Sequence, residues 1–176
     1  MRPISIVFLV IFALLGLNLT GSAQQSLSIS DGSTQGLSSE TLTITLDATA
    51  DVQGYVLAIA FDDTLLTASD LQPAGAAENA ELVVAEILTG GVTLGVVMDS
   101  EPPYGDAPIP AGNGTTIATL TVTPALVVGS DTDVAVDFQD GTLNSPALDN
   151  IIVQGGLSVG AGEGLGLNGG TMTLLE

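Results

Sequence analysis

The chain has 176 residues, of which 20 are Asp or Glu and one is Lys or Arg, so its net charge is −19. The one basic residue is Arg2, and residues 24–176 hold no basic side chain that could neutralise phosphates, which argues against nucleic-acid binding. His and Cys are absent, so the usual nucleophiles, general bases and zinc ligands are missing, and the composition favours a protein that binds a partner over one that transforms a substrate.

Residues 1–23 have the features of a secretory signal peptide. Arg2 supplies a positive start, Ile4 to Leu17 is an apolar run, and Gly21-Ser22-Ala23 provides small residues for cleavage. The alternative is an uncleaved membrane anchor, which the shortness of the run disfavours because a span needs about 20 residues. We expect a secreted, extracellular or cell-surface bacterial protein that has no membrane contact after cleavage.

Residues 24–176 are expected to form one domain. The chain is 45% hydrophobic, which argues against disorder despite the charge, and the domain is long enough to form a core without disulfides. The acidity has two interpretations that both stay open. It keeps a secreted protein soluble and suits a saline habitat, or it steers a partner that carries Lys or Arg.

Short segments with a two-residue hydrophobic period follow one another along residues 24–176. Glycine and proline turns separate them, a short helical turn is predicted within residues 68–80, and a glycine-rich loop is predicted over 155–170. This pattern predicts an all-β, two-sheet jelly-roll β-sandwich of about nine strands. The predicted strands are 27–29, 41–47, 55–61, 82–88, 92–98, 117–123, 133–138, 151–153 and 171–175, with turns at Gly90-Gly91, Pro102-Pro103, Gly112-Asn113-Gly114, Asp140-Gly141 and Gly155-Gly156.

The predicted outer faces of these strands are of two kinds, since each strand of a sandwich directs only one face to the core. Strands 41–47, 117–123 and 171–175 place threonines outward, as in a solvated sheet, whereas 55–61 and 92–98 place small apolar residues outward. Contiguous apolar surface often marks an interaction site. The alternative is that a loop or the glycine-rich segment covers it. The partner-binding candidates are Val56, Ala58, Ala60, Thr93, Gly95 and Val97, flanked by Glu86 and Asp137.

The order of the segments resembles a bacterial cohesin domain. The resemblance is carried by TLTITLDATADVQGYVLAIAFDDTLLTASDL (Thr41 to Leu71), IATLTVTP (Ile117 to Pro124), VAVDFQDGTLNSPALDNIIVQGG (Val134 to Gly156) and a final TMTL strand. It implies a nine-stranded sandwich that binds a dockerin, a small calcium-loop helical module carried by other secreted proteins. In that family one sheet face, with strand order 8-3-6-5, receives the dockerin. Strands 133–138, 53–61, 92–98 and 80–88 occupy those places in the order of this chain.

The chain departs from the multi-domain scaffoldins of that family, because no tandem copy, linker or cellulose-binding module is evident. The resemblance therefore implies a stand-alone module that holds dockerin-bearing proteins at a cell surface or in a matrix.

The sequence offers three alternatives to this function. Glycoside hydrolysis needs a pair of carboxylates, and the candidate pairs are Asp62-Asp63 and Asp99 with Glu101. Because adjacent side chains on a strand point in opposite directions, no enzyme and no catalytic residue is predicted. Polysaccharide binding is the main alternative, and Tyr104 in the loop EPPYGDAP is its candidate residue. The remaining alternative is a secreted structural protein that assembles itself through sheet edges.

Calcium is a further possibility, since oxygen ligands suffice for it and acidic pairs such as Asp131-x-Asp133 occur in predicted loops. None of the pairs has the spacing of a helix-loop-helix calcium site, so no metal and no cofactor is predicted.

Overall fold

The computed structural model describes residues 24–101 and 107–176; the predicted signal peptide, the Pro102-Pro103 turn and Tyr104 lie outside the described residues. Two short 3-10 helices, Gly75–Ala77 and Ala161–Glu163, accompany thirteen strands in this part of the chain. The strands are β1 Ser26–Ile29, β2 Gly32–Gln35, β3 Glu40–Ala48, β4 Gly54–Phe61, β5 Leu66–Pro73, β6 Leu82–Leu88, β7 Gly91–Val97, β8 Gly112–Pro124, β9 Thr132–Phe138, β10 Ile151–Gln154, β11 Leu157–Gly160, β12 Gly166–Asn168 and β13 Gly170–Leu175.

The strands form the two sheets of a β-sandwich, which confirms the predicted fold class. A five-stranded sheet has the order β12-β1-β3-β8-β5. An eight-stranded sheet runs β11-β10-β4-β9-β13-β2, with β7 on the other edge of β4 and β6 beyond β7. Strand β4 is therefore the centre of the second sheet, because it pairs with β7 on one edge and with both β9 and β10 on the other.

The core lies between the sheets and is built by the two-residue period of the strands. Leu42, Ile44 and Leu46 of β3 are fully buried, as are Leu57 and Ile59 of β4. On the outer face of the five-stranded sheet the threonines are accessible, and the hydroxyls of Thr41 and Thr121 lie 3.2 Å apart across β3 and β8. The predicted division into an apolar inner face and a threonine-bearing outer face is confirmed for this sheet.

A single buried tyrosine links the two sheets. Tyr55 in β4 donates its hydroxyl to the carbonyl oxygen of Ile117 in β8 at 2.7 Å. Its ring belongs to the hydrophobic core, and burial raises the pKa of the hydroxyl above its usual value because the phenolate would be poorly solvated there.

Three local predictions are corrected by the structure. The segment 68–80 holds the predicted helical turn at Gly75–Ala77, but β5 precedes it, and a register shift between Ala68 and Asp70 interrupts the alternation that would reveal this strand. The glycine-rich segment 155–170 is not one loop, since β11 pairs with β10 and β12 pairs with β1. Gly112-Asn113-Gly114 is not a connecting turn but the bulged start of β8, where Gly114 has a φ of 64°.

The expectation that threonine-bearing and apolar outer faces belong to different sheets is also corrected. Strand β13 carries outward threonines, but it pairs with β9 in the same sheet as β4. The change from polar to apolar exterior therefore runs across the eight-stranded sheet. It is polar at β13 and apolar at β7 and β6.

Removing the buried hydroxyl should change the response of the protein to alkali. Tyr55 and Tyr104 are the only tyrosines, and the chain has no Lys, Cys or His, so these tyrosines and the terminal amine are the groups that titrate above neutral pH. The folded state holds Tyr55 protonated, so its contribution to stability is fully present below pH ~10 and is lost as the pH rises above that value.

We expect Tyr55→Phe to lower the free energy of unfolding by about 1 kcal/mol at neutral pH and to flatten the alkaline decline, measured by urea unfolding between neutral pH and pH ~11. The surface variant Thr41→Val is the control and should keep the wild-type profile. An equal alkaline decline in Tyr55→Phe and wild type would contradict this assignment.

Candidate functional site

Four adjacent strands of the eight-stranded sheet lie in the order β9-β4-β7-β6. This confirms the neighbour relation expected for strands 133–138, 55–61, 92–98 and 82–88. The pairing registers place the outward residues in rows across the strands. Two rows have short or apolar side chains throughout, namely Val153, Gly54, Val97 and Leu82, and Ile151, Val56, Gly95 and Val84.

All residues of these two rows except Ile151 line an open apolar groove of about 430 Å³. Gly95 forms part of its floor, because a Cβ added there would meet only the Val84 carbonyl oxygen at 3.9 Å. Val56 and Val97 of the predicted set line the groove, and Val97 is 37% exposed. Leu82, Val84 and Val153, which were not among the predicted site residues, line it as well.

The other half of the same face is covered by the protein itself. Ala58 is 0% exposed and Thr93 is 3% exposed, so the prediction that both offer accessible surface is corrected. The connection between β9 and β10 lies across them: Leu143 occupies the space above Gly91, and Asn144 donates its amide to Glu86 at 2.7 Å. Of the two explanations weighed for a small outer face, cover by a loop is correct for this half.

The covering loop is fixed by Asn150, which is fully buried. Its Oδ1 accepts a hydrogen bond from the Ala58 N–H at 2.7 Å, and its Nδ2 donates to Asp140 at 2.8 Å. Residue 58 lies between the part of β4 that pairs with β10 and the part that pairs with β9. The Asn150 side chain thus replaces a strand partner at that gap and satisfies a buried N–H that would otherwise destabilise the sheet.

The two flanking carboxylates are placed as the sequence suggested. Glu86 lies opposite Thr93, and Asp137 lies opposite Ala60 at the far margin of the face. Both side chains are exposed, while Ala60 is half-buried beside a shallow depression that Asp137 also lines. Glu81 and Asp99 lie at the groove end, where Glu81 accepts hydrogen bonds from the backbone and hydroxyl of Ser100 at 2.8 and 3.1 Å. The groove is therefore apolar within and acidic at its margins.

The acidic pairs weighed for other chemistry serve local structure. Asp62 accepts hydrogen bonds from the N–H and the hydroxyl of Thr64 at 2.9 and 2.6 Å, and these bonds lower the pKa of Asp62. A glycosidase acid needs a raised pKa. Asp99 accepts the backbone N–H of Glu101 at 3.2 Å. Among residues 24–101 and 107–176, no cluster of three or more Asp or Glu side chains is placed to hold a metal ion.

The aromatic side chains give no stacking platform within the described residues. Tyr55 belongs to the core, and Phe61 and Phe138 are partly buried against it. Tyr104, the candidate for polysaccharide binding, lies outside the described residues and stays a prediction. The described part of the chain also contains no helix that is long and apolar enough to cross a membrane.

Comparison with solved structures identifies the fold. A cohesin in complex with the dockerin Doc918 from Clostridium thermocellum superposes with a TM-score of 0.68 at 11% identity, covering 86% of this chain and 99% of that one. A non-cellulosomal cohesin from Archaeoglobus fulgidus gives 0.64 at 13% identity, with 88% and 93% covered. The cohesin module of a Clostridium perfringens family 33 glycoside hydrolase gives 0.61 at 10% identity, with 88% and 99% covered.

The fold is therefore that of a cohesin-like domain, as the sequence resemblance implied. No protein-family model matches the sequence, and no curated protein matches it.

Replacing Asn150 should loosen the cover of the outer face. In Asn150→Ala the Ala58 N–H loses its partner and Asp140 keeps only the backbone N–H of residue 150, so we expect the free energy of unfolding to fall by about 1–3 kcal/mol. The Ala58 amide should also exchange with solvent faster. Urea unfolding and amide hydrogen exchange measure the two effects. Asn79→Ala, at an exposed position, is the matched control, with an expected change within about 0.5 kcal/mol. Equal stability of the two variants would show that Asn150 does not hold the loop.

Proposed function

We propose that this chain is a secreted, non-catalytic binding module that docks a dockerin-type module through the open half of its eight-stranded sheet. The observation that carries the proposal is the apolar groove across β4, β7 and β6, bordered by carboxylates. These strands hold the places that receive the dockerin in the family that the sequence resembles. Two of the compared structures are cohesin–dockerin complexes from Clostridium thermocellum, which supports a partner of this type.

The groove can supply binding energy through a few apolar anchors. Leu82, Val84 and Val97 remain substantially exposed in the free protein. Full burial of a Val or Leu side chain contributes about 1.5–3 kcal/mol. A small central cluster of such anchors commonly carries most of the affinity of a protein interface. A partner that places apolar side chains over Gly95 would bury all three residues together.

The carboxylates near the groove favour a partner whose surface is positively charged. Glu81 and Asp99 lie at the end of the groove and Glu86 follows Val84 on the outer face of β6, while Asp137 lies at the far margin of the sheet face. No basic side chain occurs in residues 24–176. Complementary charge raises the rate of association and suppresses wrong partners more than it raises affinity. The proposed partner module therefore carries Lys or Arg around an apolar centre, and its association rate falls as salt is added.

Several observations support a role in binding without catalysis. The described carboxylate pairs accept hydrogen bonds in turns, and the compared cohesin modules are binding modules. One compared protein is described as a non-cellulosomal cohesin, and another as part of a glycoside hydrolase. The fold is thus not confined to one kind of assembly. We propose for this chain a stand-alone role in holding dockerin-bearing proteins at a cell surface or in a matrix.

The groove floor offers a direct test, because Gly95 can take a side chain without a clash. In Gly95→Leu the new side chain enters open space above the sheet, and Gly95 does not require a left-handed backbone. We expect unchanged stability and a loss of dockerin binding of about tenfold or more, because the partner's apolar residues can no longer enter the groove. Calorimetric titration with the dockerin-type modules of the same organism measures the affinity.

Gly129→Leu is the matched control, since Gly129 also has open space around it and lies outside the groove lining. It should bind like wild type. Chelation of calcium should abolish binding by unfolding the dockerin, while the melting temperature of this chain stays unchanged. The proposal fails if no dockerin-type module of the organism binds, or if Gly95→Leu and Gly129→Leu bind equally well.

A further inference from the structure

Strand β6 is the free edge of the eight-stranded sheet within the described residues. It pairs with β7 along its whole length, from Leu82 opposite Val97 to Leu88 opposite Gly91, and with no second strand of the described part. In an antiparallel pair, alternate residues direct their N–H and C=O groups away from the partner strand. The free side of β6 therefore presents a row of backbone donors and acceptors with the spacing that another strand would match.

Both faces of β6 are exposed, which sets it apart from the other long strands. Val84 on the outer face is 56% exposed. On the opposite face, Val83 and Ile87 lie beside the buried residues Val96 and Val92, yet they are 42% and 51% exposed. The strand thus projects beyond the edge of the core, and six of its seven residues are exposed. Apolar side chains on both faces at a free edge are what an added strand would bury.

The usual protections of an edge strand are missing from β6. The segment LVVAEIL contains no Pro and no Lys, and its register with β7 has no bulge. Glu86 is its one charged residue, and the amide of Asn144 holds the carboxylate of that residue on the outer face. On the core side, Val83, Ala85 and Ile87 carry no charge that would repel an added strand.

The charge of the chain decides what kind of strand fits. A second copy would bring the same excess of acid, since the net charge is −19. Glu78, Glu81 and Glu86 are exposed in or just before β6, and Asp70 is exposed on β5, the neighbouring edge of the other sheet. Like charges at this margin disfavour self-pairing, whereas an incoming segment with Lys or Arg would gain attraction on both sides.

We propose that β6 takes up an extended segment of another polypeptide as an added strand, and that this segment alternates apolar residues with Lys or Arg. Backbone hydrogen bonds to the free edge supply the affinity, and the apolar side chains cover Val83 and Ile87. This site is distinct from the proposed dockerin groove, because its hydrogen bonds are made by the free edge of β6 and its apolar contacts by the core-side face. The Lys or Arg side chains of the added strand lie on the outer face, on the side that carries Glu86.

The experiment uses the whole chain and a capped peptide of about eight alternating Val and Lys residues as the probe. Isothermal titration gives its affinity, and amide hydrogen exchange reports whether alternate N–H groups of β6 become protected. The blocking variant is Val83→Lys with Ile87→Lys, which places positive charge at two exposed positions. The matched control, Val127→Lys with Leu157→Lys, makes the same change of charge at positions that are 62% and 72% exposed. A peptide methylated on two successive central nitrogens loses a donor on each of its edges.

We expect the probe to bind wild type and the control variant alike, to bind the blocking variant about tenfold or more weaker, and to protect alternate amides of β6. The methylated peptide should not bind. The proposal is overturned if the methylated peptide binds equally well, if both double variants lose binding equally, or if no amide of β6 is protected. It is also overturned if β6 proves to pair with a second copy, seen as a dimer that the blocking variant alone disrupts. Dockerin binding is measured separately with Gly95→Leu, so either proposal can fail alone.

Discussion

The exterior of this domain depends on how β4 is paired. Along one edge it has a single partner, β7, but along the other it must satisfy β10 and then β9, which approach from different connections. The change of partner leaves a gap at Ala58, and the buried amide of Asn150 fills it. Asn150 is the last residue of the connection between β9 and β10, so the same contact also holds that connection against the sheet. The open groove is the part of the outer face that the connection does not reach.

Much of the architecture could be predicted because burial follows a two-residue period in β3, β9 and β13. The order of the four strands around the site was implied by the resemblance to cohesin domains. Strands β2 and β12 could not be predicted, since β2 has the polar sequence GSTQ and β12 is GLN, and neither offers a hydrophobic pattern. Strand β5 was hidden by its bulge. The cover over Ala58 and Thr93 arises from Leu143 and Asn144, which are far away in sequence and carry no local signal of that contact. Strand β6 was recognised as apolar on both sides, but its exposure depends on its place at the edge.

The absence of basic side chains changes the structural role of the carboxylates. Within residues 24–176 no side-chain ion pair can form, and several aspartates accept hydrogen bonds from backbone N–H groups instead. Asp47 accepts from Gly114, Asp51 from Ala111, and Asp31 from Thr171, each across a long sequence separation. These charge-assisted bonds fasten loops and strand ends. The carboxylates thus stabilise local structure through hydrogen bonds. They also repel one another over longer distances, and salt reduces this electrostatic repulsion.

The electrostatic repulsion between negatively charged copies also explains how the unprotected edge strand β6 can persist without self-association. An exposed apolar strand usually needs a lysine, a proline or a bulge to prevent pairing with its own kind. Strand β6 has none of these, but every copy of the chain carries the same large negative charge, so two edges approach against repulsion from the whole molecule. The protection acts only between like-charged chains. A basic partner meets attraction where a second copy meets repulsion, and the surface that is hazardous for self-association becomes selective for a partner of opposite sign.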